Sequence, residues 1–197
     1  MPPPLSADTQ TDMLRSDPRS DALLARRAAM GDKTAFTIIF DRHGASLHRY
    51  ALRMLDGDHQ AAEDAVQEAL TKAWLNIAAF RGDSALRTWL FRLTANECHN
   101  SRRRRRPVAV DDGLFYARND ETFPEPHDQA SSNAFREVLD RALIELPWRQ
   151  RAAWLLREIE GLSYAEIAQV LHTTPAVVRG QLHRARATLK VRMAQWR

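Results

Sequence analysis

The side chains of this chain most suited to chemistry are Arg179, Gln181, His183, Arg184 and Arg186, which flank an apolar row of Val178, Leu182, Ala185 and Leu189. That row has the period of one helix side. Guanidinium, amide and imidazole groups offer charge to phosphates and paired hydrogen bonds to base edges, so the chemistry is noncovalent recognition of nucleic acid. Lys190, Arg192 and Arg197 extend the basic set, and no carboxylate lies between His172 and Arg197. A second set is acidic: Asp56, Asp58, Glu63, Asp64 and Glu68 are the residues from which a metal-dependent nuclease would be assembled. They come without an arranged histidine or a glycine-rich phosphate loop. Asp64, Gln67 and Glu68 share the helix face opposite Val66 and Leu70, which makes an exposed stripe and not a convergent site. Neither catalysis nor a metal site is expected, and no cofactor or small-molecule substrate is indicated.

The element that positions the basic set is a helix-turn-helix. Ser163 with Glu166 three places on forms a capping box ahead of Ile167, Val170 and Leu171. His172-Thr173 breaks the pattern, Thr174 caps a second helix, and Pro175 fits its first turn. That second helix is expected from Pro175 to about Met193. A solvated surface helix is the bland alternative for its charges; the paired-helix spacing favours entry into a DNA groove.

The rest of the chain is helical in period as well, with no strand or hairpin signal. Helices are expected over Asp21 to Ala29, Lys33 to Met54, Ala61 to Ile77 or Phe80, and Ala85 to about Arg104. The second carries Phe36, Ile39/Phe40, Leu47, Tyr50/Ala51 and Met54 inward. The last two carry Val66, Leu70, Ala73/Trp74 and Ile77, and Leu86, Leu90, Leu93 and Glu97. Gly31-Asp32, Asp56-Gly57-Asp58 and Arg81-Gly82-Asp83-Ser84 are the turns. From Pro107 to Asn133 composition shifts to Asp111, Asp112, Asp120, Glu121, Glu125 and Asp128 with Pro124 and Pro126, the makeup of a linker. Helical period returns over Ala134 to Leu146 and Trp148 to Glu160. The fold class is therefore all-α: two small helical domains joined by a flexible acidic linker, the second ending in the helix-turn-helix. Residues 1–20 read as a disordered tail, 21–106 as the first domain, 107–133 as the linker and 134–197 as the second domain.

Composition agrees with a nucleic-acid partner: 197 residues, net charge +4, 44% hydrophobic and one cysteine. The lone Cys98 cannot make an internal disulfide and reads as a small buried or half-buried side chain, with redox sensing the lesser alternative. No apolar stretch reaches the length of a membrane span, and MPPPLSADTQTDM lacks the basic region and apolar core of a secretory signal. A cytoplasmic protein without membrane insertion is expected.

Three stretches then carry a family resemblance. AAEDAVQEALTKAW (Ala61 to Trp74) resembles the core-polymerase-binding helix of extracytoplasmic-function (ECF) sigma factors, the compact class of the sigma-70 family. FRGDSALRTWLFRLTANE (Phe80 to Glu97) resembles their −10 melting and recognition element. LPWRQRAAWLLREIEGLSYAEIAQVL with LHRARATLK resembles their −35 recognition domain. With AFTIIFDRHGASLHRYALRML ahead of them, these stretches cover nearly all of residues 20 to 193 in the family's order. The resemblance implies a dissociable, non-catalytic initiation subunit whose partners are core RNA polymerase, promoter DNA and an anti-sigma factor.

Residue by residue, it implies polymerase contact by Asp64, Gln67 and Glu68. It implies −10 contact by Arg81, Gly82, Asp83, Ser84, Arg87, Trp89, Arg92 and Asn96. Opening a duplex needs a turn that admits an extruded base and cations for the backbone, which Gly82, Ser84 and the arginines offer. Trp89 lies beside Leu86, Leu90 and Leu93, so core packing and stacking on a base are both open. Phe91 and Asn96 fall nearer the other face, and Asn96 matches a family asparagine. The Arg102-to-Arg106 run suits phosphates without sequence choice. The acidic linker suits the RNA path of the polymerase or a plain solubilising spacer.

The −35 set is Pro175, Ala176, Arg179, Gly180, Gln181, His183, Arg184 and Arg186. Here the chain departs from the family's approximate Gly-Thr-Val-Lys-Ser-Arg-Leu, reading Ala176-Val177-Val178-Arg179-Gly180-Gln181-Leu182. Gln181 stands for an arginine, which exchanges a guanine preference for an adenine one. Gly180 weakens a helix interior unless backbone approaches DNA closely. His172 stands where the family has glycine and predicts a left-handed turn residue. The alternative function is a one-component helix-turn-helix regulator binding duplex DNA without polymerase. The absence of βα alternation for a receiver domain counts against it.

Overall fold

The structure, a computed structural model, describes residues 21–105 and 130–194. Most of the expected acidic linker, the tail over 1–20 and Arg106 lie outside the described residues. Among those described there is no strand. The first unit comprises α1 (Asp21–Ala29), α2 (Lys33–Met54), α3 (His59–Asn76), a 3-10 turn (Ile77–Ala79) and α4 (Leu86–Arg105). The second comprises α5 (Ala130–Ile144), α6 (Trp148–Trp154), a π-helical turn (Leu155–Ile159), α7 (Tyr164–Val170) and α8 (Pro175–Arg192). The all-α expectation holds.

Short polar residues define the helix starts. Asp32 accepts from Ala35 N at 3.1 Å and Asp58 from Ala61 N at 2.9 Å, each satisfying an amide that the first turn leaves without a partner. Gly31, at φ 89°, lets α1 end and the chain reverse into α2. At the next turn Asp56 (φ 59°) and Gly57 (φ 81°) are both left-handed.

The first core holds Leu24, Ile39, Leu47, Tyr50, Met54, Leu90 and Phe91, with the Tyr50 and Phe91 rings edge-to-face at 5.6 Å. Two expected placements are corrected here. Phe40 is 48% exposed. Ile39 takes the inward position, and the Phe40 ring lies along the helix where Gly44 has no Cβ. Phe91 is fully buried, because α4 is covered by α2, α3 and α7 together and its buried arc is wider than one apolar row.

The second core gathers Leu143, Leu155, Leu156, Ile167 and Leu182. The expected helix from Trp148 to Glu160 is interrupted by the π-helical turn, where Glu160 N donates to Leu155 O at 3.1 Å and Leu162 N to Leu156 O at 2.9 Å. The helix-turn-helix forms as expected. Ser163 N donates to the Glu166 carboxylate at 2.8 Å and Glu166 N to Ser163 Oγ at 3.3 Å, completing the capping box. His172 has φ 49°, and Thr173 N reaches back to Ala168 O at 2.9 Å, so the left-handed residue closes α7. Thr174 then caps α8 through Val177 N at 3.3 Å.

Candidate nucleic-acid and polymerase interfaces

α3 presents Asp64, Gln67 and Glu68 to solvent while Ala65, Val66, Ala69 and Leu70 are buried, so the three polar residues form the expected stripe. Gln60 donates to Asp64 at 2.9 Å, and Lys72 lies 3.3 Å from Glu68. Lys72 also donates to Glu97 of α4 at 2.8 Å, and that hydrogen bond chiefly raises the lysine's pKa above its usual value. Glu97, expected on the apolar row, is buried and reached by this one lysine from α3.

The loop before α4 brings Arg81, Gly82, Asp83 and Ser84 together. Gly82 has φ 77°, a conformation open to glycine. Arg81 pairs with Asp83 at 3.0 Å in full solvent, an interaction of small worth. Along α4 the other candidates diverge. Asn96 is exposed and Arg92 half-buried. Trp89 is buried against Phe80, ring centroids 5.2 Å apart, which fits the core reading of this residue. Arg87 points across to the second unit: its guanidinium donates to Glu160 O at 2.7 Å and to the Glu160 carboxylate at 2.6 Å, and lies over the Phe91 ring at 5.2 Å. Beside it the buried Thr88 donates to Glu166 at 3.1 Å. Burial alone would raise the Glu166 pKa, but hydrogen bonds from Ser163 and Thr88 and the Arg87 charge bring it below the usual value.

Sequence reasoning did not single out Thr88, Glu160 or Glu166 at this contact. Their partners are more than seventy residues away, and no local spacing shows such a pairing.

α8 turns Val178, Leu182, Ala185 and Leu189 inward. Pro175, Ala176, Arg179, His183, Arg184 and Arg186 are exposed, with Gly180 and Gln181 half-buried. All eight candidates therefore lie on one accessible side or its flank. Arg186 is paired with Glu158 at 2.6 Å, which holds it still more firmly protonated. Cys98 is fully buried, and its thiol is pushed up to about 12, by burial first and by the nearby Glu97 charge second. Among the described residues no His, Cys, Asp and Glu cluster suits a metal ion, and no helix is long and apolar enough to cross a membrane.

The fold is a pair of helical units, and known proteins share it. Residues 39–108 match Sigma-70 region 2, and residues 136–189 match Sigma-70, region 4. The chain is 33% identical over 183 residues to the ECF RNA polymerase sigma-E factor of Escherichia coli (strain K12), covering 88% of this chain and 94% of that one. It is 32% identical over 191 residues to the ECF RNA polymerase sigma factor SigM of Mycobacterium tuberculosis (strain ATCC 25618 / H37Rv), covering 96% and 92%. Among solved structures, CnrH in complex with the cytosolic domain of CnrY aligns with a TM-score of 0.67 at 27% identity, over 91% of this chain and 99% of that one. The sigma factor RpoE in complex with the anti-sigma factor NepR from Bartonella quintana aligns with a TM-score of 0.62 at 28% identity, over 81% and 96%. The chain belongs to the ECF sigma factors of the sigma-70 family, and so is an RNA polymerase sigma factor acting in transcription initiation.

Proposed function

We propose that this sigma factor engages core RNA polymerase through Asp64, Gln67 and Glu68, reads the −35 element with α8, and captures unstacked −10 bases along the loop and helix from Arg81 to Asn96. The observation that carries this reading is the exposed stripe on α3, held to α4 through the Lys72 and Glu97 pair. A subunit so built transmits polymerase binding to the element next to the melted strand without supplying chemistry. Catalysis belongs to the polymerase, and the chain has no enzymatic step of its own. Trp89 acts from inside the −10 element by fixing Phe80 and the loop.

Arg179, His183 and Arg184 are placed to meet phosphates or base edges, while Pro175 and Ala176 bring the start of α8 close to the DNA. An anti-sigma factor is a further partner, the state in which the solved relative RpoE was captured. A cytoplasmic site of action follows from the polymerase and DNA partners.

The experiment is size-exclusion chromatography of the chain with core polymerase of the source bacterium, and separately with promoter-length duplex, at near-physiological salt. Co-elution with core and weak binding to free duplex is the expected result. Tight duplex binding with no core association would overturn the reading and favour a one-component regulator.

A further inference from the structure

Val177 is a large apolar side chain left 43% exposed in the first turn of α8, between the −35 candidates Ala176 and Arg179. Its neighbour Val178 is fully buried, so the core's demand for an apolar residue is met one position on. Helical spacing sets Val177 on one side with Gly180, Gln181 and Arg184. Gly180 leaves that side low. The Arg184 guanidinium nitrogens lie 3.7 Å from where a glycine Cβ would stand, so the arginine reaches back one turn toward the N-terminal end of α8.

What Val177 can offer a ligand is restricted. Its backbone N–H already donates to Thr174 Oγ1 at 3.3 Å, closing the cap of α8. The side chain has no donor or acceptor, and its branched Cβ holds it in essentially one helical rotamer, so fixing it against a surface costs little entropy. The same branching makes valine a poorer helix former than alanine, so helix stability does not explain its place here.

The start of a recognition helix is the part that reaches base edges in a major groove. Among those edges the C5-methyl of thymine is the one apolar group, and an apolar side chain is its complement. Set against the amino group of cytosine, the same valine would strip a donor of water and give no hydrogen bond in exchange.

We propose that Val177 is a specificity-determining contact of α8, packing its methyls on the C5-methyl group of a thymine in the −35 element. This rests on the −35 reading of α8 given above. Gln181 lies one turn further on, roughly 6 Å along the helix axis. The thymine therefore stands within about two base-pair steps of the position that Gln181 reads, each step being roughly 3.4 Å.

Replacing thymine by uracil removes that methyl and leaves every hydrogen-bonding group in place. The test uses core polymerase loaded with the full chain, and a promoter duplex from which this holoenzyme initiates. Each −35 thymine, on either strand, is changed in turn to deoxyuridine, and the altered duplex competes with the parent for the holoenzyme at near-physiological salt. A base-pair substitution panel over the same element is run in parallel. Val177→Ala removes the methyls while favouring the helix, and Val191→Ala, exposed near the far end of α8, is the control.

The unsubstituted chain is expected to favour the parent duplex about fourfold at one thymine, the worth of one buried methyl. With Val177→Ala that preference falls to near parity; with Val191→Ala it is retained. A −35 element without a thymine, uracil tolerated at every position, or a preference that survives Val177→Ala overturns the proposal, and a base-pair panel that still responds leaves the −35 reading of α8 standing. A panel flat at every base pair defeats that reading itself, and the proposal with it.

Discussion

Lys72 Nζ lies 2.8 Å from the Glu97 carboxylate, joining the exposed polar side of α3 to the middle of α4. Glu97 is buried and, among the described residues, has besides this cation a long hydrogen bond from Asn100 at 3.5 Å. Replacing Lys72 with Met leaves a buried carboxylate short of its cation. The expected loss is about 1–2 kcal/mol of unfolding free energy, toward the low end of a broken charged pair because the lysine is partly solvated. Urea denaturation measures it, and an unchanged midpoint contradicts the role given to the pair.

Asp21 fastens α1 to α2 by accepting from Arg42 and from His43 Nε2 at 3.1 Å. Burial alone would raise its pKa, but those hydrogen bonds and charges outweigh it, and the carboxyl sits below its ordinary 3.8. A depressed folded-state pKa gives stability that is present above the unfolded value and lost as pH falls through the folded one. The unsubstituted chain should therefore lose stability on acidification from 3.8 downward more steeply than Asp21→Asn. Parallel thermal melts across that window check this, and equal slopes refute it.

Much of this architecture is legible because its signals are local. The Gly31 break, the Ser163 and Glu166 box, the Thr174 cap and the left-handed His172 each depend on residues a few positions apart, and each forms as the spacing predicts. What escapes local reading is what a helix meets on its second and third sides. Phe91 goes inward because α2 and α7 close over a face that period alone leaves outside, and Arg87 finds a carboxylate from the other unit. The π-helical turn at Leu155–Ile159 is hidden too: Leu-Leu-Arg-Glu-Ile holds no glycine or proline that would mark a break in the helix.

Gly180 has room for a methyl group, whose only neighbours would be the Arg184 guanidinium nitrogens at 3.7 Å. Gly180→Ala should raise stability by about 0.5–1 kcal/mol, the usual helix-interior difference. If the bare backbone is there for close approach to DNA, the same variant weakens −35 binding. Thermal unfolding and duplex titration of one preparation give both readouts, and a gain in stability with unchanged binding removes that rationale for the glycine.

Gln181 lies half-buried on the flank of α8 between the exposed Arg179 and His183. Substituting arginine should move preference at one −35 position from adenine toward guanine, by about 1–3 kcal/mol for a good bidentate contact. A base-substitution panel reads the change; an unaltered preference profile rules the contact out.

Asp64 and Glu68 make few internal contacts, so Asp64→Lys/Glu68→Lys should leave the helical spectrum and melting temperature nearly unchanged. Affinity for core polymerase should fall by at least tenfold, about 1.4 kcal/mol, as two charges reverse against a basic surface. Retained affinity would move the polymerase contact elsewhere.

The central claim is tested most directly by in vitro transcription of genomic fragments from the source bacterium with core polymerase alone and with core plus this chain, followed by mapping of transcript 5′ ends. Initiation at a discrete set of new start sites, each preceded by shared −35 and −10 sequences and lost with the Asp64→Lys/Glu68→Lys chain, is the predicted result. Identical transcripts with and without the chain would contradict the account.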